Sequence, residues 1–428
     1  MLKVKRETGR RILVVGGGGR EHAIIRQLLK SPSVSKVYCA PGNGGISRDA
    51  ECVPIQAMDI SGVVSFAAEK EIDLVFVAPD DPLAAGMVDA VEAAGIPAFG
   101  PSAKAAEIES SKVFSKNLMK KYGIPTADYE VFDDAGKALK YVQNADRYPL
   151  VIKADGLALG KGVLICNDAK EAENAVKTIM EDKVFGASGN RVVVEEFLTG
   201  PEVSVLAFTD GKCLKPMVSS KDHKRALDGD KGLNTGGMGT ISPNPYYSEE
   251  MADRCMKEIF LPTMDAMNKE GRPFKGCLYF GLMLTPNGPK VIEYNSRFGD
   301  PETQVVLPRL ETDFAEILCA VAEERLENLD IQWSDQSAAC VVMASGGYPG
   351  SYKKGVLISG LDSHGQVEGA TVYHAGTQYK DGEFYTAGGR VLGVTALGKT
   401  LDEALAGAYA AVEKISFDGA HYRHDIGK

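Results

Sequence analysis

The stretch "RILVVGGGGREHAII", residues 11–25, joins a short apolar run to a helix-like segment through four glycines. A dinucleotide-binding loop needs the pattern G-x-G-x-x-G after a strand, with an acidic residue about 20 positions later. When the pattern starts at Gly16 or Gly17, its third glycine position holds Glu21 or His22, so an NAD site is not supported. Two interpretations stay open from these residues alone. The amides of a helix N-terminus hold an anion here, or a tight strand-to-helix turn requires small residues.

The rest of the first hundred residues continues this alternation of strand and helix patterns. The strand-like runs are "RILVV", "KVYCA", "DLVFVAP" and "IPAFGP", and the helix-like runs between them are "REHAIIRQLLK", "SGVVSFAAEK" and "LAAGMVDAVEAAG". Such alternation predicts a parallel sheet covered by helices on both faces, with ligands beyond the carboxyl ends of the strands. We therefore predict a doubly wound α/β domain over residues 1–105.

The remaining chain changes in character twice. A helix is predicted over "SAKAAEIESSKVFSKNLMKKYG", and strand-rich α+β sequence follows, with hairpin turns at "DG" and "NG". From about residue 331 the sequence is again strand-rich and contains one helix, "TLDEALAGAYAAVEKI". These changes predict a central domain over residues 106–330 and a strand-rich C-terminal domain over residues 331–428.

Composition limits the functional classes. A chain of 428 residues is too long for one ordinary core. The net charge of −10 argues against a nucleic-acid partner, although a small anionic substrate is allowed where Lys and Arg gather locally. No segment approaches the ~20 apolar residues of a membrane helix, and the eight cysteines form no C-x-x-C pair. We expect a soluble cytoplasmic protein with reduced thiols and no membrane partner.

The stretch "KADGLALGKGV", residues 153–163, is a glycine-rich loop between two predicted strands. It is one residue too short for a Walker loop, and Gly162 stands where that loop has its hydroxyl. Lys153 precedes the loop and Lys161 lies inside it. The pattern fits a lid over phosphates, and it equally fits an ordinary hairpin loop with exposed lysines.

A second constellation lies in "KVIEYNSRFGDPET", where Glu293, Asn295 and Arg297 are spaced by two. Residues with this spacing share one face of a strand. A carboxylate and an amide oxygen suit Mg²⁺, and an arginine beside them can stabilise charge on a transferring phosphoryl group. The alternative interpretation is a solvated polar face.

Several longer motifs run in one order over nearly the whole chain. They are "GGGGREHA", "SSKVFSK", "VIKADGLALGKGV", "VVEEFLTGPEVS", "DHKRALDGDKGLNTGGMG", "CLYFGLM", "VIEYNSRFGDPETQ", "MASGGYPG" and "YRHDIG". With them the sequence resembles the phosphoribosylamine–glycine ligase (glycinamide ribonucleotide synthetase) family of ATP-grasp ligases. "NTGGMG" and "RFGDPETQ" mark this family and not ATP-grasp enzymes in general.

The resemblance implies an architecture and a reaction. An ATP-grasp domain with a small lid subdomain at about residues 126–194 would occupy the central region. With ATP and Mg²⁺ or Mn²⁺, glycine would become glycyl phosphate, and the amine of 5-phosphoribosylamine would displace the phosphate to give glycinamide ribonucleotide and ADP in purine biosynthesis. The resemblance implies a monomer or a weak homodimer and no nucleic-acid partner.

The family's roles carry over to four sets of positions, as implied by the resemblance. The catalytic residues would be Arg297, Lys153 and Asp222. The ATP site would comprise Lys112, Lys153, Gly156, Gly160, Lys161, Gly162, Glu195, Leu198 and Glu202, with Glu195 and the backbone near Leu198 on the adenine and Glu202 on the ribose. The glycine and phosphoribosyl sites would comprise Gly18, Gly19, Arg20, Asp80, Asp222, Lys224, Arg297, Gly299 and Asp300. The metal ligands would be Glu293 and Asn295.

Three positions depart from the family pattern, and other functions compete. Gly17 stands where Asn is common, Asp80 where Glu is common, and Ser296 where Cys is frequent. The close rival is another ATP-grasp ligase, such as a carboxylase of a purine intermediate or a peptide-type ligase, which would lack "NTGGMG" and "YRHDIG". A dinucleotide-dependent oxidoreductase and a non-catalytic nucleotide-binding protein are the more distant alternatives.

Overall fold

The N-terminal part of the chain folds as a five-stranded parallel sheet with helices around it, as the sequence predicts. The computed structural model describes residues 2–157 and 162–428. The elements of this part are β1 (Arg10–Gly16), α1 (Gly19–Leu28), β2 (Val34–Pro41), α2 (Ile46–Asp49), β3 (Glu51–Cys52), α3 (Ile60–Glu69), β4 (Leu74–Val77), α4 (Asp80–Ala84), α5 (Met87–Ala93) and β5 (Ala98–Phe99).

The order of these strands creates a switch point in the sheet. The order is β3-β2-β1-β4-β5, so the chain leaves β1 on one side and returns to its other side at β4. Helices α1 and α4 follow these two strands, and each begins beside a crevice where open α/β sheets bind ligands. Arg20 and Asp80, in the first turns of these helices, lie at that crevice.

Two helices, and not the single helix predicted, lead into the central region. They are α6 (Ala103–Ser110) and α7 (Lys112–Tyr122). Ser111 between them is extended, with φ −131° and ψ 107°, and its Oγ accepts a hydrogen bond from the backbone N–H of Phe114. This is an N-cap, which a hydrophobic pattern does not reveal because the apolar spacing continues across it. The break places Lys112 in the first turn of α7.

A four-stranded antiparallel sheet with two helices forms the next layer. Its elements are β6 (Tyr129–Phe132), α8 (Ala135–Gln143), β7 (Leu150–Ala154), β8 (Val163–Cys166), α9 (Ala169–Val176) and β9 (Val192–Glu196). The strand order is β6-β9-β7-β8, and the buried faces of α8 and α9 pack on it in a core of their own. We name this layer the lid sheet.

The central layer carries the second sheet, in the order β11-β10-β16-β17. Both hairpins predicted at "DG" and "NG" are present, between β10 and β11 and between β16 and β17. In chain order the elements are β10 (Glu202–Asp210), β11 (Leu214–Pro216), β12 (Lys221–Asp222), β13 (Arg225–Leu227), β14 (Lys231–Asn234), β15 (Gly239–Ser242), α10 (Glu249–Cys255), α11 (Leu261–Lys269), β16 (Lys275–Thr285), β17 (Gly288–Asn295), α12 (Thr303–Val306) and α13 (Phe314–Ala322).

The strand-rich C-terminal region builds its main sheet with strands from the central region. Its elements are β18 (Ser337–Ala344), β19 (Leu357–Ile358), β20 (Thr371–His374), β21 (Thr377–Lys380), β22 (Glu383–Thr386), β23 (Arg390–Gly398) and α14 (Leu401–Val412). The order β12-β15-β18-β23-β20 shows that two strands from residues 221–242 join it. The sheet therefore crosses the predicted boundary at residue 330, and the boundaries themselves stay predictions.

An aromatic cluster connects the N-terminal and central layers beneath the predicted catalytic loop. Phe298 is 1% exposed, and its ring centroid lies 5.9 Å from both Phe76 and Phe208 and 6.1 Å from Phe314. Because Phe298 follows Arg297 directly, this packing fixes the backbone that carries the arginine. Within residues 2–157 and 162–428, no helix combines the length and the apolar character that crossing a membrane demands.

Candidate active site

A cavity of about 1010 Å³ lies between the lid sheet and the central sheet and extends to the switch point of the N-terminal sheet. Most residues predicted for the site contribute to its wall. They are Arg20, Asp80, Lys112, Lys153, Gly156, Gly162, Glu195, Leu198, Glu202, Asp222, Lys224, Glu293, Asn295, Arg297 and Asp300. Residues from the N-terminal, lid, central and C-terminal parts of the chain therefore meet at one cavity.

The two lysines predicted to contact ATP phosphates lie on neighbouring parts of this wall. Lys153, on β7, donates to Ile292 O at 3.1 Å and to Glu195 Oε2 at 3.0 Å. Lys112 donates to Gly156 O at 2.9 Å, which ties α7 to the start of the glycine-rich loop. Burial lowers the pKa of Lys112. Both amines are thus available to an anion in the cavity, but each is already oriented by protein oxygens.

The Glu195 carboxylate is held by lysines, which bears on its predicted adenine contact. Its side chain is 3% exposed, and Lys116 Nζ lies 2.9 Å from its Oε2 in addition to the contact with Lys153. Burial lowers the pKa of Lys116 to about 8 despite this partner. The carboxylate therefore orients the two lysines, while its Oε1 accepts no hydrogen bond, and the adenine contact of Glu195 stays a prediction.

The spacing of Glu293 and Asn295 places both on one face of β17, as predicted. Glu293 lies opposite Gly281 and Asn295 opposite Tyr279 of β16, and both side chains line the cavity. Burial alone would raise the pKa of Glu293, but Lys224, Lys153, Lys112 and Arg297 together lower it. An ionised carboxylate surrounded by cations is suited to a divalent ion that shares anionic phosphate ligands.

The neighbours of Asn295 set the orientation of its side-chain amide. Its amide is satisfied when the NH₂ group donates to Glu109 Oε1 at 2.9 Å and to Tyr294 O at 3.2 Å, which leaves the oxygen on the other side of the amide. No group of three or more His, Cys, Asp and Glu suited to a metal occurs among the described residues. Two protein oxygens with phosphate and water fit Mg²⁺, which seldom has an all-protein cage.

Arg297 projects from the turn that follows β17 and pairs with a buried carboxylate. Its NH2 lies 3.0 Å from Glu109 Oε1, and Glu109 Oε2 accepts from both Ser296 N and Ser296 Oγ at 2.7 Å. Burial raises the pKa of Glu109, and Arg297 opposes that shift. Ser296, one of the departures from the family pattern, thus has a defined role in holding Glu109.

The carboxyl groups of Asp222 and Glu302 lie near each other in the cavity wall. Asp222 Oδ1 accepts from the backbone N–H of His223 at 2.7 Å, and burial together with nearby Glu302 raises the pKa of Asp222 well above its usual range. Glu302 Oε1 accepts from Tyr279 O–H at 3.1 Å. Lys224 beside them lies 3.3 Å from Glu202 Oε2 and 3.7 Å from Glu293 Oε1. The oxygens of these carboxyl groups can accept hydrogen bonds from an ammonium group, whose positive charge would oppose the rise in the pKa of Asp222.

The opening glycines resolve largely as a tight turn. The backbone N–H of Gly18 donates to Glu21 Oε2 at 2.6 Å, so a buried carboxylate of the same helix occupies that anion position. A Cβ at Gly17 would lie 2.5 Å from Gly42 O, so a side chain at this position would clash with the backbone. Arg20 lines the cavity and pairs with Glu21 at 2.7 Å.

Three glycines predicted for the substrate sites do not line the cavity. Two residues predicted for the ATP site lie outside the residues that the structure describes. A Cβ at Gly19 would lie 2.6 Å from Gln304 Nε2, and one at Gly299 would lie 2.3 Å from Glu302 Oε2, so a larger residue at either position would displace the end of that side chain. Gly18 is likewise absent from the wall. Gly160 and Lys161 fall in the gap between residues 157 and 162.

The structure adds residues that the sequence analysis missed. Arg390, the first residue of β23, lines the cavity and donates to Asp300 O at 2.7 Å and to Gly236 O. Its NH2 also lies 3.4 Å from Asp300 Oδ2. Glu109, Lys116, Glu302 and Tyr348 are among the other additions to the wall. "GGRVLG" around Arg390 has no recognisable spacing, and only the fold brings this arginine from the C-terminal sheet to the cavity.

One end of the cavity is apolar. Its wall there is made by side chains from both sheets, namely Val151, Val163, Ile165, Phe197, Leu198, Met283 and Ile292. A flat aromatic base can be sandwiched between such side chains, while backbone groups of the connection at residues 197–201 can read its polar edge. Lys153 Nζ lies 3.1 Å from Ile292 O, so the charged part of the wall begins beside these apolar side chains.

Comparisons with known proteins agree with this arrangement. Models of the phosphoribosylglycinamide synthetase N domain, ATP-grasp (A) domain and C domain match residues 10–109, 110–303 and 338–428. A phosphoribosylamine–glycine ligase of Caldanaerobacter subterraneus is 51% identical over 97% of this chain and 99% of its own length. A solved phosphoribosylamine–glycine ligase from Thermotoga maritima has a TM-score of 0.85 at 36% identity, covering 97% of this chain and 99% of that one.

A solved structure of much lower sequence identity shares the fold. The biotin carboxylase domain of the Hydrogenobacter thermophilus 2-oxoglutarate carboxylase has a TM-score of 0.73 at 16% identity, covering 96% of this chain and 91% of its own. At that identity the likeness shows a common fold alone. The three family models together span most of the chain, and the chain belongs to the phosphoribosylglycinamide synthetase family, whose central domain is an ATP-grasp.

Proposed function

We propose that this protein ligates glycine to 5-phosphoribosylamine at the expense of ATP, giving glycinamide ribonucleotide, ADP and phosphate through glycyl phosphate. The single observation that carries the proposal is that Lys112, Lys153, Glu293 and Arg297 lie on the wall of one cavity between two sheets. We also propose that it acts in the cytoplasm as a monomer or a weak homodimer.

The cavity suggests how ATP lies. The adenine would enter the apolar end between Ile165 and Met283, with its edge against the backbone near Leu198. Lys153 and Lys112 would then contact the phosphates, and Glu202 at the start of β10 would reach the ribose. The glycine-rich loop, held at Gly156 by Lys112, would cover the phosphates.

The divalent ion would be held by Glu293 and Asn295, with phosphate oxygens and water completing its ligands. When bound, such an ion neutralises charge on the phosphates as the terminal phosphoryl group leaves ADP. Mg²⁺ and Mn²⁺ both fit a carboxylate and amide pair, and we propose either.

The chemistry follows from the charges around the polar end. A carboxylate oxygen of glycine bonds to the γ-phosphorus while the bond from phosphorus to the β,γ-bridging oxygen breaks, and Arg297 stabilises the negative charge on the transferring group. Asp222 would pair with the glycine ammonium and hold its carboxylate in line. The amine of 5-phosphoribosylamine then attacks the acyl carbon, and phosphate leaves with the former carboxylate oxygen.

The acceptor would approach from the switch point of the N-terminal sheet. Arg20 and Asp80 lie there, and their charge and hydrogen-bonding groups suit a phosphate and a ribose hydroxyl, respectively. Lys224 and Asp300 would complete the contacts near the reacting amine. A cavity of about 1010 Å³ has room for the nucleotide and both smaller substrates together.

Isotope transfer tests the proposal directly. Glycine labelled with ¹⁸O in its carboxylate should transfer one labelled oxygen to inorganic phosphate, and phosphate should form only when glycine, 5-phosphoribosylamine, ATP and Mg²⁺ are all present. Bicarbonate in place of glycine is the control for the carboxylase rival, and a panel of other amino acids is the control for a peptide-type ligase. Phosphate release that is indifferent to glycine would contradict the proposal.

A further inference from the structure

We call the part of the cavity proposed for glycine and 5-phosphoribosylamine the acceptor end. One of its walls is a two-stranded ribbon formed by β13 and β14, residues 225–234. It pairs with no other strand in the part of the chain that the structure describes, and residues 227–233 are exposed. An isolated two-stranded hairpin is marginally stable in water. Contacts from outside the ribbon must therefore hold it beside the cavity, where Arg225, Asp230 and Asn234 form part of the wall.

The last residues of the chain, 421–428, make those contacts, and we name this segment the C-terminal tail. Its His421 ring hydrogen-bonds through Nε2 to Ala226 O at 2.7 Å, on one strand of the ribbon. At the tip of the ribbon, the backbone N–H of Gly229 donates to Asp425 Oδ2 at 2.7 Å. The tail therefore satisfies polar backbone groups that the ribbon leaves unpaired.

Arg423 lies at the centre of this junction and is 1% exposed. Its Nε and NH2 donate to the two oxygens of Asp425 at 2.7 and 2.9 Å, and its NH1 donates to Asp230 Oδ1 at 2.7 Å and to Arg225 O at 3.2 Å. A buried guanidinium with a bidentate carboxylate partner has a fixed geometry. It thus links the tail to β13 and to the turn that joins the two strands of the ribbon.

The ribbon conformation that Arg423 holds is one that the backbone disfavours. Asp230 has φ +52°, in the left-handed region that non-glycine residues seldom adopt. Its side chain is 72% exposed, so burial does not stabilise that conformation. The ion pair with Arg423 is the contact that fixes Asp230, and with it the return strand toward "NTGGMG".

The tail also contacts His223, which precedes the ribbon in the chain. The backbone N–H of Gly427 donates to His223 Nε2 at 3.0 Å, and His223 Nδ1 bonds to Gly239 O at 3.1 Å. His223 lies between Asp222 and Lys224, which both line the cavity. The two motifs that distinguish this family from other ATP-grasp ligases, "YRHDIG" and the segment ending in "NTGGMG", are thus in contact.

We propose that the C-terminal tail is a clamp that holds residues 221–235 in position for the two non-nucleotide substrates, with Arg423 as its central positioning residue. The proposal rests on the proposed function. Because the tail orders the acceptor wall before the substrates arrive, its loss weakens their binding and leaves the nucleotide end intact.

Arg423→Met in the full-length chain tests the clamp. We expect the KM values for glycine and 5-phosphoribosylamine to rise about tenfold, because the ordering of the ribbon must then be supplied on binding. The dissociation constant of ADP, measured by calorimetry, should change by less than about twofold, since Lys112 and Lys153 lie on other elements. Unchanged KM values, or an ADP affinity that falls in step with them, would overturn the proposal.

A matched control separates positioning from general stability. Arg309 is also a buried arginine with two protein acceptors, Ser242 Oγ at 2.7 Å and Ser334 O at 3.1 Å, and it does not line the cavity. Arg309→Met should lower the melting temperature without raising the KM for glycine. An equal rise in KM for both arginine variants would overturn the clamp.

A second variant avoids dependence on the folding of a protein that lacks a buried arginine. Asp230→Ala removes only the exposed partner, and we expect a smaller rise in KM, about threefold. The effects of Arg423→Met and Asp230→Ala should be non-additive in the double variant, because both remove one contact. Additive effects would overturn the assignment of that ion pair.

Hydrogen exchange distinguishes a failure of the clamp from a failure of the proposed function. Amides in residues 225–234 should exchange faster in Arg423→Met, whereas those in β7 and β17 should not. If the unsubstituted protein shows no glycine-dependent turnover, the ligase assignment fails, and the exchange result still decides whether the tail orders the ribbon. Unchanged exchange in the ribbon would overturn the clamp.

Discussion

The two ends of the cavity are built by different means. At the nucleotide end, the working side chains lie on regular strands, with Lys153 on β7, Glu195 on β9 and Glu293 on β17. At the acceptor end they lie on helix starts, on a ribbon and at the start of a strand, drawn from distant parts of the chain, such as Arg20, Asp80 and Arg390. Regular strands fix side chains locally, whereas the acceptor end depends on contacts between distant segments.

Removing a charge from the nucleotide end should have the largest effect. Lys153→Met should lower kcat by roughly 10²–10³-fold, because it removes a preoriented cation from the transferring phosphates. The fold should survive, since Glu195 keeps Lys116 as a partner at 2.9 Å. Steady-state phosphate release and the circular dichroism spectrum measure the two outcomes. Lys170→Met, at an exposed position of α9, is the matched control, and a retained kcat in Lys153→Met would contradict the assignment.

The metal ligand should have the next largest effect. Glu293→Gln keeps the shape of the side chain and removes its negative charge, so the Mg²⁺ concentration for half-maximal activity should rise about 100-fold. A titration of activity with Mg²⁺ at saturating ATP measures this change. Glu196→Gln, at a glutamate of β9 in the lid sheet that pairs with Lys290, is the control. An unchanged Mg²⁺ requirement in Glu293→Gln would place the ion elsewhere.

At the acceptor end, Arg390→Met should act on binding more than on chemistry. Its loss frees Asp300 O and Gly236 O, and we expect the KM for 5-phosphoribosylamine to rise about tenfold with kcat nearly unchanged. Initial rates at varied 5-phosphoribosylamine separate the two constants. Arg272→Met removes an arginine that donates to a backbone carbonyl away from the cavity and should change neither. A fall in kcat alone would contradict this division of roles.

The smallest expected effect concerns pH. Burial, with smaller contributions from Lys221 and Arg423, lowers the pKa of His223 to about 4 although Gly239 O and Asp230 oppose the shift. The unfolded chain therefore binds more protons than the folded chain between pH 6.5 and 4, so stability falls as pH is lowered through that window. At pH 5.5 the loss is about 1 kcal/mol.

Urea unfolding at pH 7.5 and 5.5 measures that loss. His223→Gln removes the titrating group and should reduce the difference between the two pH values. His364→Gln, at an exposed histidine of the C-terminal region, should leave the difference unchanged. Equal pH dependence in His223→Gln and the unsubstituted protein would contradict the prediction.

The contrast between the two ends also explains what the sequence could predict. The alternation of the first hundred residues was sufficient for the parallel sheet, and the period of two was sufficient for Glu293 and Asn295, because both patterns are local. Ser111 shows where local patterns fail, since a helix cap interrupts α6 and α7 without interrupting the apolar spacing. Boundaries of this kind depend on one side-chain hydrogen bond.

The spacing of residues along the chain did not predict which residues form the acceptor end. Arg390 and Tyr348 reach the cavity only because the C-terminal sheet pairs with strands from residues 221–242. The carboxylate of Glu195 and the amide of Gly18 are each occupied by nearby protein groups, which no motif can show. The resemblance to the family supplied the positions, and the packing decided which of them are free to meet a ligand.

The pairing of β15 with β18 has a consequence for dividing the molecule. Ile241 and Ala339 are neighbours in the sheet although about one hundred residues separate them along the chain. A fragment ending near residue 330 would present the bare edge of β15 to solvent, and such an edge recruits other strands. Protein nicked in that connection should therefore remain one particle, and the two pieces expressed separately should aggregate unless they are made together.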